Sequence, residues 1–200
     1  LEAGDKDLVS LWRSTKEWSM IGFYDVYNLL NVEFDEWFWE SEEEAVGKKI
    51  VQNILDEKTI PQIRKSDGAV IADLKEFKLE VLVLIKSDGN ALYGAKDIPL
   101  GMKKFDKFKV KKSIYVVDNR QSLYIKQVFK LLDLLGYEDR EKIHVAYDFV
   151  TLPDGAMASR KGNVVTFSKF YNEIWKKTIE ETKERHDEWP RDRIEAVASK

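Results

Sequence analysis

Between Met157 and Val165 the chain runs Met157-Ala158-Ser159-Arg160-Lys161-Gly162-Asn163-Val164-Val165, shortly after Leu152-Pro153-Asp154-Gly155. A Gly-containing turn ahead of a small, hydroxyl-bearing and doubly basic loop can present backbone amides and cations to a polyphosphate. The same residues would also serve as a basic surface connection between a strand and a helix, and their chemistry alone leaves both readings open. A second pair, Tyr93 and Asp97, is spaced so that a helix starting near Ala91 would project both from one face. A phenol and a carboxylate placed that way can flank a cation, but they are also an ordinary surface pair. Lys103, Lys104, Lys107, Lys109, Lys111 and Lys112 surround Phe105 and Phe108. An RNA-facing strip is one reading of that run; the better one has the two rings as core anchors and the lysine stems covering them under a solvated face.

Other chemistry is excluded early. The sequence has no cysteine, so a disulfide scaffold, a thiolate zinc site and a cysteine nucleophile are all ruled out, and a reducing compartment fits. The two histidines, His144 and His186, have no companions at metal-ligand spacing, so no metal site is expected among the side chains. Net charge is -3 with 34% charged residues, which is not a polycation that binds nucleic acid by charge alone, so any RNA contact must be local.

The elements that would carry these residues can be read from periodicity. At 200 residues and 44% apolar composition the chain can bury one sizeable core, or one core and a small satellite. Leu8, Leu11 and Trp12, then Phe23, Val26, Tyr27 and Leu30, follow helical steps and predict two helices meeting near Ser19. Ser41 with Glu44 has the form of a capping box, opening a helix to about Lys58 whose buried stripe would be Val46, Ile50 and Ile54. From Ile60 the texture becomes β-rich, with Ser66-Asp67-Gly68 and Ser87-Asp88-Gly89 as hairpin turns. An apolar strand at Ile114 to Val117, a helix burying Val128, Leu131, Leu132 and Leu135 and stopped by Gly136, and a second strand at Val145 to Val150 form the strand–helix–strand unit of a parallel sheet. Ligands of such sheets bind beyond the carboxyl ends of the strands, here Asp118 to Gln121 and Thr151 to Gly162. A further helix is expected from Ser168 to Arg185, with Phe170, Ile174 and Ile179 on one side, and another element begins after Trp189. No apolar run approaches the roughly 18 residues needed to span a bilayer, so a soluble α/β protein is expected.

The loop at Met157 resembles the second signature of class I aminoacyl-tRNA synthetases, usually Lys-Met-Ser-(Lys or Ser)-(Ser or Arg), and the trailing Arg160-Lys161-Gly162-Asn163-Val164-Val165 is similar to the arginyl members in particular. Ala156 stands where the family commonly has the first Lys, and Ala158 where it has the Ser. The resemblance covers most of residues 19 to 167. Phe34-Asp35 through Trp39-Glu40-Ser41 is similar to the family's Phe-Asp followed by Glu-Ser. Ile85-Lys86-Ser87-Asp88-Gly89 with Tyr93 and Asp97 resembles its Lys-Ser-Asp-Gly and Tyr-x-x-x-Asp, and Ile114 to Gln121 its Tyr-Val-Val strand ending in Gln.

That resemblance implies an arginine–tRNA ligase, with ATP and magnesium as cofactors and arginine and the tRNA acceptor end as partners. By position it implies arginine recognition by Glu40, Tyr93, Asp97 and Gln121, and nucleotide binding by Phe149, Val150, Met157, Ser159, Arg160, Lys161 and Gly162. Ser159, Arg160 and Lys161 would carry the catalytic phosphate contacts. A planar, permanently charged guanidinium with five donors suits such a set of carboxylates with a polar aromatic. Gln121 would bond the amino-acid head group, or cap the helix that follows it. The implied fold is the second half of a Rossmann-like nucleotide-binding domain over 1–167, with a small α+β insertion at about 42–80 and the start of a helical linker at 168–200. The family's first signature, His-Ile-Gly-His, does not occur in the sequence. The chain also opens at Leu1 rather than Met, and the helical anticodon-binding domain that the resemblance implies is expected to lie outside these 200 residues. A segment of a longer cytoplasmic, monomeric ligase is therefore expected, poorly active or inactive alone. A non-catalytic relative that binds nucleotide, arginine or RNA is the second reading, prompted by Ala156 and Ala158.

Overall fold

The computed structural model describes residues 4–148, 151–152, 155–156 and 164–199. They fall into two compact units, one of residues 36–149 and one of 1–35 with 150–200.

The second of these opens with α1 (Lys6–Leu29), capped by Asp5, whose carboxylate accepts from the Asp7 and Leu8 amides at 3.0 Å each. The sequence predicts two helices here, but the structure has one. No Gly or Pro breaks the run near Ser19, whose hydroxyl instead bonds back to the Thr15 carbonyl at 2.8 Å within the continuous helix. None of its residues is buried.

In the 36–149 unit, α2 (Glu40–Glu57) packs on α3 (Tyr93–Asp106). The expected capping box is absent. Trp39 holds the N-cap position without a side-chain bond, Ser41 lies inside the helix, and Glu44 pairs with Lys48 at 2.9 Å and Lys96 at 3.1 Å. The buried stripe is Glu43, Gly47, Val51 and Ile54, one residue on from the predicted one at its start, and Val46 is exposed. Gly47 sets the register. A Cβ there would lie 1.9 Å from the Ala95 carbonyl oxygen of α3, and that carbonyl receives no helical bond four residues on, because Pro99 has no N–H.

Strands β1 (Ile63–Ser66), β2 (Ala69–Asp73) and β3 (Val81–Ile85) form an antiparallel sheet in that order. The β1–β2 turn places Asp67 at φ 49° and Gly68 at φ 80°, the two positive angles that an Asp-Gly hairpin supplies. After β3 the Ser87-Asp88-Gly89 turn brings Ala91 back to bridge Ile85, and α3 starts two residues later. This sheet and the α2–α3 pair share a core that includes Val51, Ile54, Val70, Leu74, Leu84 and Ile98.

The strand–helix–strand unit forms as β4 (Lys112–Asp118), α4 (Ser122–Leu132) and β5 (Glu141–Tyr147), with β4 and β5 parallel and Ile114 opposite Ile143. Gly136, at φ 93°, ends the turn after α4, and Val128, Leu131 and Leu132 are buried as expected. Strand β5 begins four residues before the predicted Val145 and takes in His144. Pairing with the whole of β4 defines it, and the charged Glu141 and Lys142 hid that from an apolar-run criterion. One face of the pair, Ile114, Val116, Val145 and Tyr147, is exposed.

Strands β6 (Thr151–Leu152) and β7 (Gly155–Ala156) make a short antiparallel pair in the other unit. There α5 (Phe167–Arg185), capped by Thr166, and α6 (Arg191–Ala198) pack together, with Ile194 buried and the Trp189 ring between His186 and Arg193, 3.8 and 3.9 Å away. The expected apolar side of α5 is not a buried face: Phe170 and Ile174 are exposed.

Candidate functional site

Three elements of the 36–149 unit converge on Asp97. It sits one turn into α3, half-buried, and its Oδ2 accepts the hydroxyl proton of Tyr124 from the first turn of α4. Burial raises the Asp97 pKa from its ordinary value, while the Tyr124 donor and the Lys104 charge pull it back and Glu40 raises it further. Lys104, one helical stretch on in α3, is lowered by burial and supported by Asp97, and its Nζ lies 3.9 Å from the Tyr115 ring centroid in β4. Tyr115 is pushed up to about 12, first by burial and then by Asp97. Tyr124 is pushed up by burial and by the same carboxylate, and Tyr93 also acts on it.

Glu40 is the first residue of α2, so its carboxylate stands in the first turn, where the helix amides favour negative charge. It is more than half exposed and pairs with Lys96 at 2.8 Å. Lys96 is raised chiefly by that bond. Tyr93 opens α3 and is 68% exposed, so its ring face is open to solvent while Asp97, one turn later, turns inward.

Gln121 lies at the carboxyl end of β4, on the turn before α4. It occupies the N-cap position but makes no side-chain cap bond. Asp118 is held down to about 2, mainly by Arg120, which donates Nε and Nη2 to its two oxygens at 3.0 Å each. Asn119 donates to Asp148 and so ties the ends of β4 and β5 together.

Glu40, Tyr93 and Asp97 are thus linked electrostatically to one cluster, and Gln121 begins the helix turn that supplies its phenol. Phe149, Val150, Met157, Ser159, Arg160, Lys161 and Gly162 lie outside the described residues. Tyr124, Tyr115 and Lys104 were not legible as site residues. Tyr124 meets Asp97 across 27 positions, Tyr115 reads as a strand residue, and Lys104 is lost among its neighbours. Three lysines of the run pair with carboxylates of the unit. Lys103 pairs with buried Glu43, Lys107 with Glu36 at 3.5 Å and Lys112 with Glu141 at 3.0 Å. Phe105 is a core anchor as expected, but Phe108 is partly exposed, against Phe38 and under Lys107.

The family model for class I tRNA synthetases (R), catalytic domain, matches residues 1–200. The chain belongs to the class I arginyl-tRNA synthetase family. Arginine–tRNA ligase of Bdellovibrio bacteriovorus is 38% identical over 200 residues, covering 99% of this chain and 34% of that protein. The Porphyromonas gingivalis ligase is 37% identical over 174 residues, 86% of this chain and 29% of that one. The chain therefore spans about a third of the length of these relatives. The fold matches too. Plasmodium falciparum arginyl-tRNA synthetase superposes with TM-score 0.79 at 19% identity over 99% of this chain and 33% of that one, and the Thermus thermophilus enzyme with 0.66 at 23% over 86% and 35%. What the chain matches is the catalytic domain of that family, and both of these relatives are named arginine–tRNA ligase.

Proposed function

We propose that the full-length protein activates arginine with ATP and transfers it to tRNA, and that residues 36–149 bind the amino acid. The half-buried Asp97 carboxylate carries this reading. A carboxylate kept in a desolvating place beside two phenols is costly for folding and useful for gripping a cation. Asp97 and Glu40 bond the guanidinium nitrogens, Tyr93 lies against its plane, and Gln121 bonds the head group. Around the nucleotide, Phe149, Val150, Met157 and Gly162 form the lining, and Ser159, Arg160 and Lys161 hold the phosphates.

The arginine carboxylate then attacks the α-phosphorus of ATP in line. A bond forms from carboxylate oxygen to phosphorus, the bond to the bridging oxygen breaks, and pyrophosphate leaves with its electron pair. The ribose hydroxyl at the tRNA end next attacks the activated carbonyl: the ester bond forms, the bond from carbonyl carbon to phosphate oxygen breaks, and AMP leaves with that electron pair while the hydroxyl proton passes to its phosphate. Positioning and cations aimed at the developing charge supply the acceleration. Magnesium belongs with the nucleotide phosphates. Among the described residues no group of three or more His, Asp or Glu side chains could hold it.

No helix among the described residues is long and apolar enough to cross a membrane, and the chain lacks cysteine. A monomeric cytoplasmic enzyme is part of the proposal for the full-length protein. The insertion is assigned to about 42–80 and the linker to 168–200.

Arginine-dependent exchange of pyrophosphate into ATP by the full-length protein is the test. Asp97→Asn is expected to raise the arginine KM by roughly a hundred- to several-thousandfold, the equivalent of about 3 to 5 kcal/mol for an unpaired buried cation. Exchange that responds equally to lysine and arginine would count against a guanidinium pocket.

A further inference from the structure

We propose that Tyr124 is a positioning residue for arginine selection: its hydroxyl, donated from the first turn of α4 to Oδ2 of Asp97, sets the plane of that carboxylate and leaves Oδ1 and the second lone pair of Oδ2 to the substrate guanidinium. The inference rests on the assignment of Asp97 to the guanidinium. A carboxylate on a single-methylene stem can turn about its last bond, and a turned plane offers a fork only one of its two bonds. Tyr124 removes that freedom because α4 is itself anchored: Ile125 and Val128 on the same helix are buried.

The donor's chemistry matters as much as its place. A phenol gives one hydrogen bond and brings no charge, so Asp97 keeps its full negative charge for the substrate. A Lys or Arg at position 124 would neutralise it. Lys104 is the cation that acts on Asp97 in this cluster, and it does so through space from its seat on the Tyr115 ring. The groups that face Asp97 are then Glu40 from α2, Lys104 from its own helix, Tyr115 from β4 and Tyr124 from α4.

Tyr124→Phe keeps the ring and deletes only the donor. In the full-length protein, pyrophosphate exchange should show an arginine KM raised by about ten- to a hundredfold, the range for one hydrogen bond to a charged group, with the ATP KM and kcat close to wild type. Discrimination against lysine should fall as well, because a point-like ammonium does not need the aligned plane. The donor holds Asp97 down against burial, so its loss should move the acid limb of kcat/KM for arginine to higher pH. Unchanged arginine KM, lysine ratio and acid limb in Tyr124→Phe, with Asp97→Asn still raising the KM, would overturn the inference while the arginine pocket stands. A parallel loss for arginine and ATP with a lowered melting temperature would overturn it too, since a fold contact explains that. If Asp97→Asn leaves the arginine KM unchanged, the pocket assignment fails and Tyr124 falls with it.

Discussion

A carboxylate half-buried beside two tyrosines is a liability for an empty protein. Asp97 has a folded pKa raised above its unfolded value, mainly by burial. In the interval between the two values the folded state holds a proton that the unfolded state has lost, so stability falls as pH rises through it. At neutral pH the ionised side chain therefore costs stability. Asp97→Asn should raise the melting temperature of the ligand-free protein at neutral pH, and the gain should shrink as pH falls below the usual carboxylate range. Thermal unfolding of both proteins across that range checks it, and a variant less stable at neutral pH would show that the Tyr124 and Lys104 contacts outweigh burial. Asp118 behaves oppositely. Its pKa is lowered to about 2 by Arg120, so it contributes stability above its unfolded value that is lost as pH falls toward 2. Arg120→Ala should bring that titration back up, as a carboxyl-carbon NMR titration would show.

At the scale of elements, the site depends on how closely α2 meets α3, because α2 carries Glu40 and α3 carries Asp97. Gly47 permits that approach, and Gly47→Ala would drive a methyl to within 1.9 Å of the Ala95 carbonyl oxygen. A backbone oxygen in a packed helix cannot swing aside, so the helices must separate, at about 1 to 3 kcal/mol. Urea unfolding should show that loss, and the Glu40–Lys96 pair at 2.8 Å should loosen with it. Gly47 is one turn short of the buried Val51, and the apolar-stripe pattern that selected Val46 could not reveal it. A glycine contributes nothing to hydrophobic periodicity and everything to the separation of the axes. The capping box failed for a related reason. Glu44 found two lysines, one of them on α3, and that long-range cation is invisible to a local motif.

At the largest scale, the notable feature of the 36–149 unit is that none of its described residues covers one side of the β4–β5 pair. Parallel strands are ordinarily covered on both faces, yet Val116 is 65% and Tyr147 52% exposed. An apolar reporter dye should bind the 200-residue chain there. Replacing Val116 and Val145 together with Lys should lower its fluorescence while far-UV dichroism is unchanged; undiminished dye binding would locate the exposed surface elsewhere. The exposed side chains of α1, Leu11 and Ile21 among them, are the competing surface. The pattern of apolar residues marked an apolar side on α1 and α5 and apolar runs at the strands, and periodicity reports which side is apolar and says nothing of whether a neighbour covers it.

By itself the sequence determined the strand–helix–strand unit, the Asp67-Gly68 hairpin, the Gly136 stop and the motifs that mark the family. Each rests on interactions within a few residues or on a fixed spacing along the chain. The tertiary structure alone decided that Asp97 turns inward to Tyr124 and that Lys96 bridges Glu40 and Glu44. It also decided that Lys103 pairs with the buried Glu43 while Lys104 sits on the Tyr115 ring. Those choices depend on side chains tens of positions apart meeting where water is thin, and the strength of a charge interaction is set by that surrounding medium, which exists only once the chain has folded.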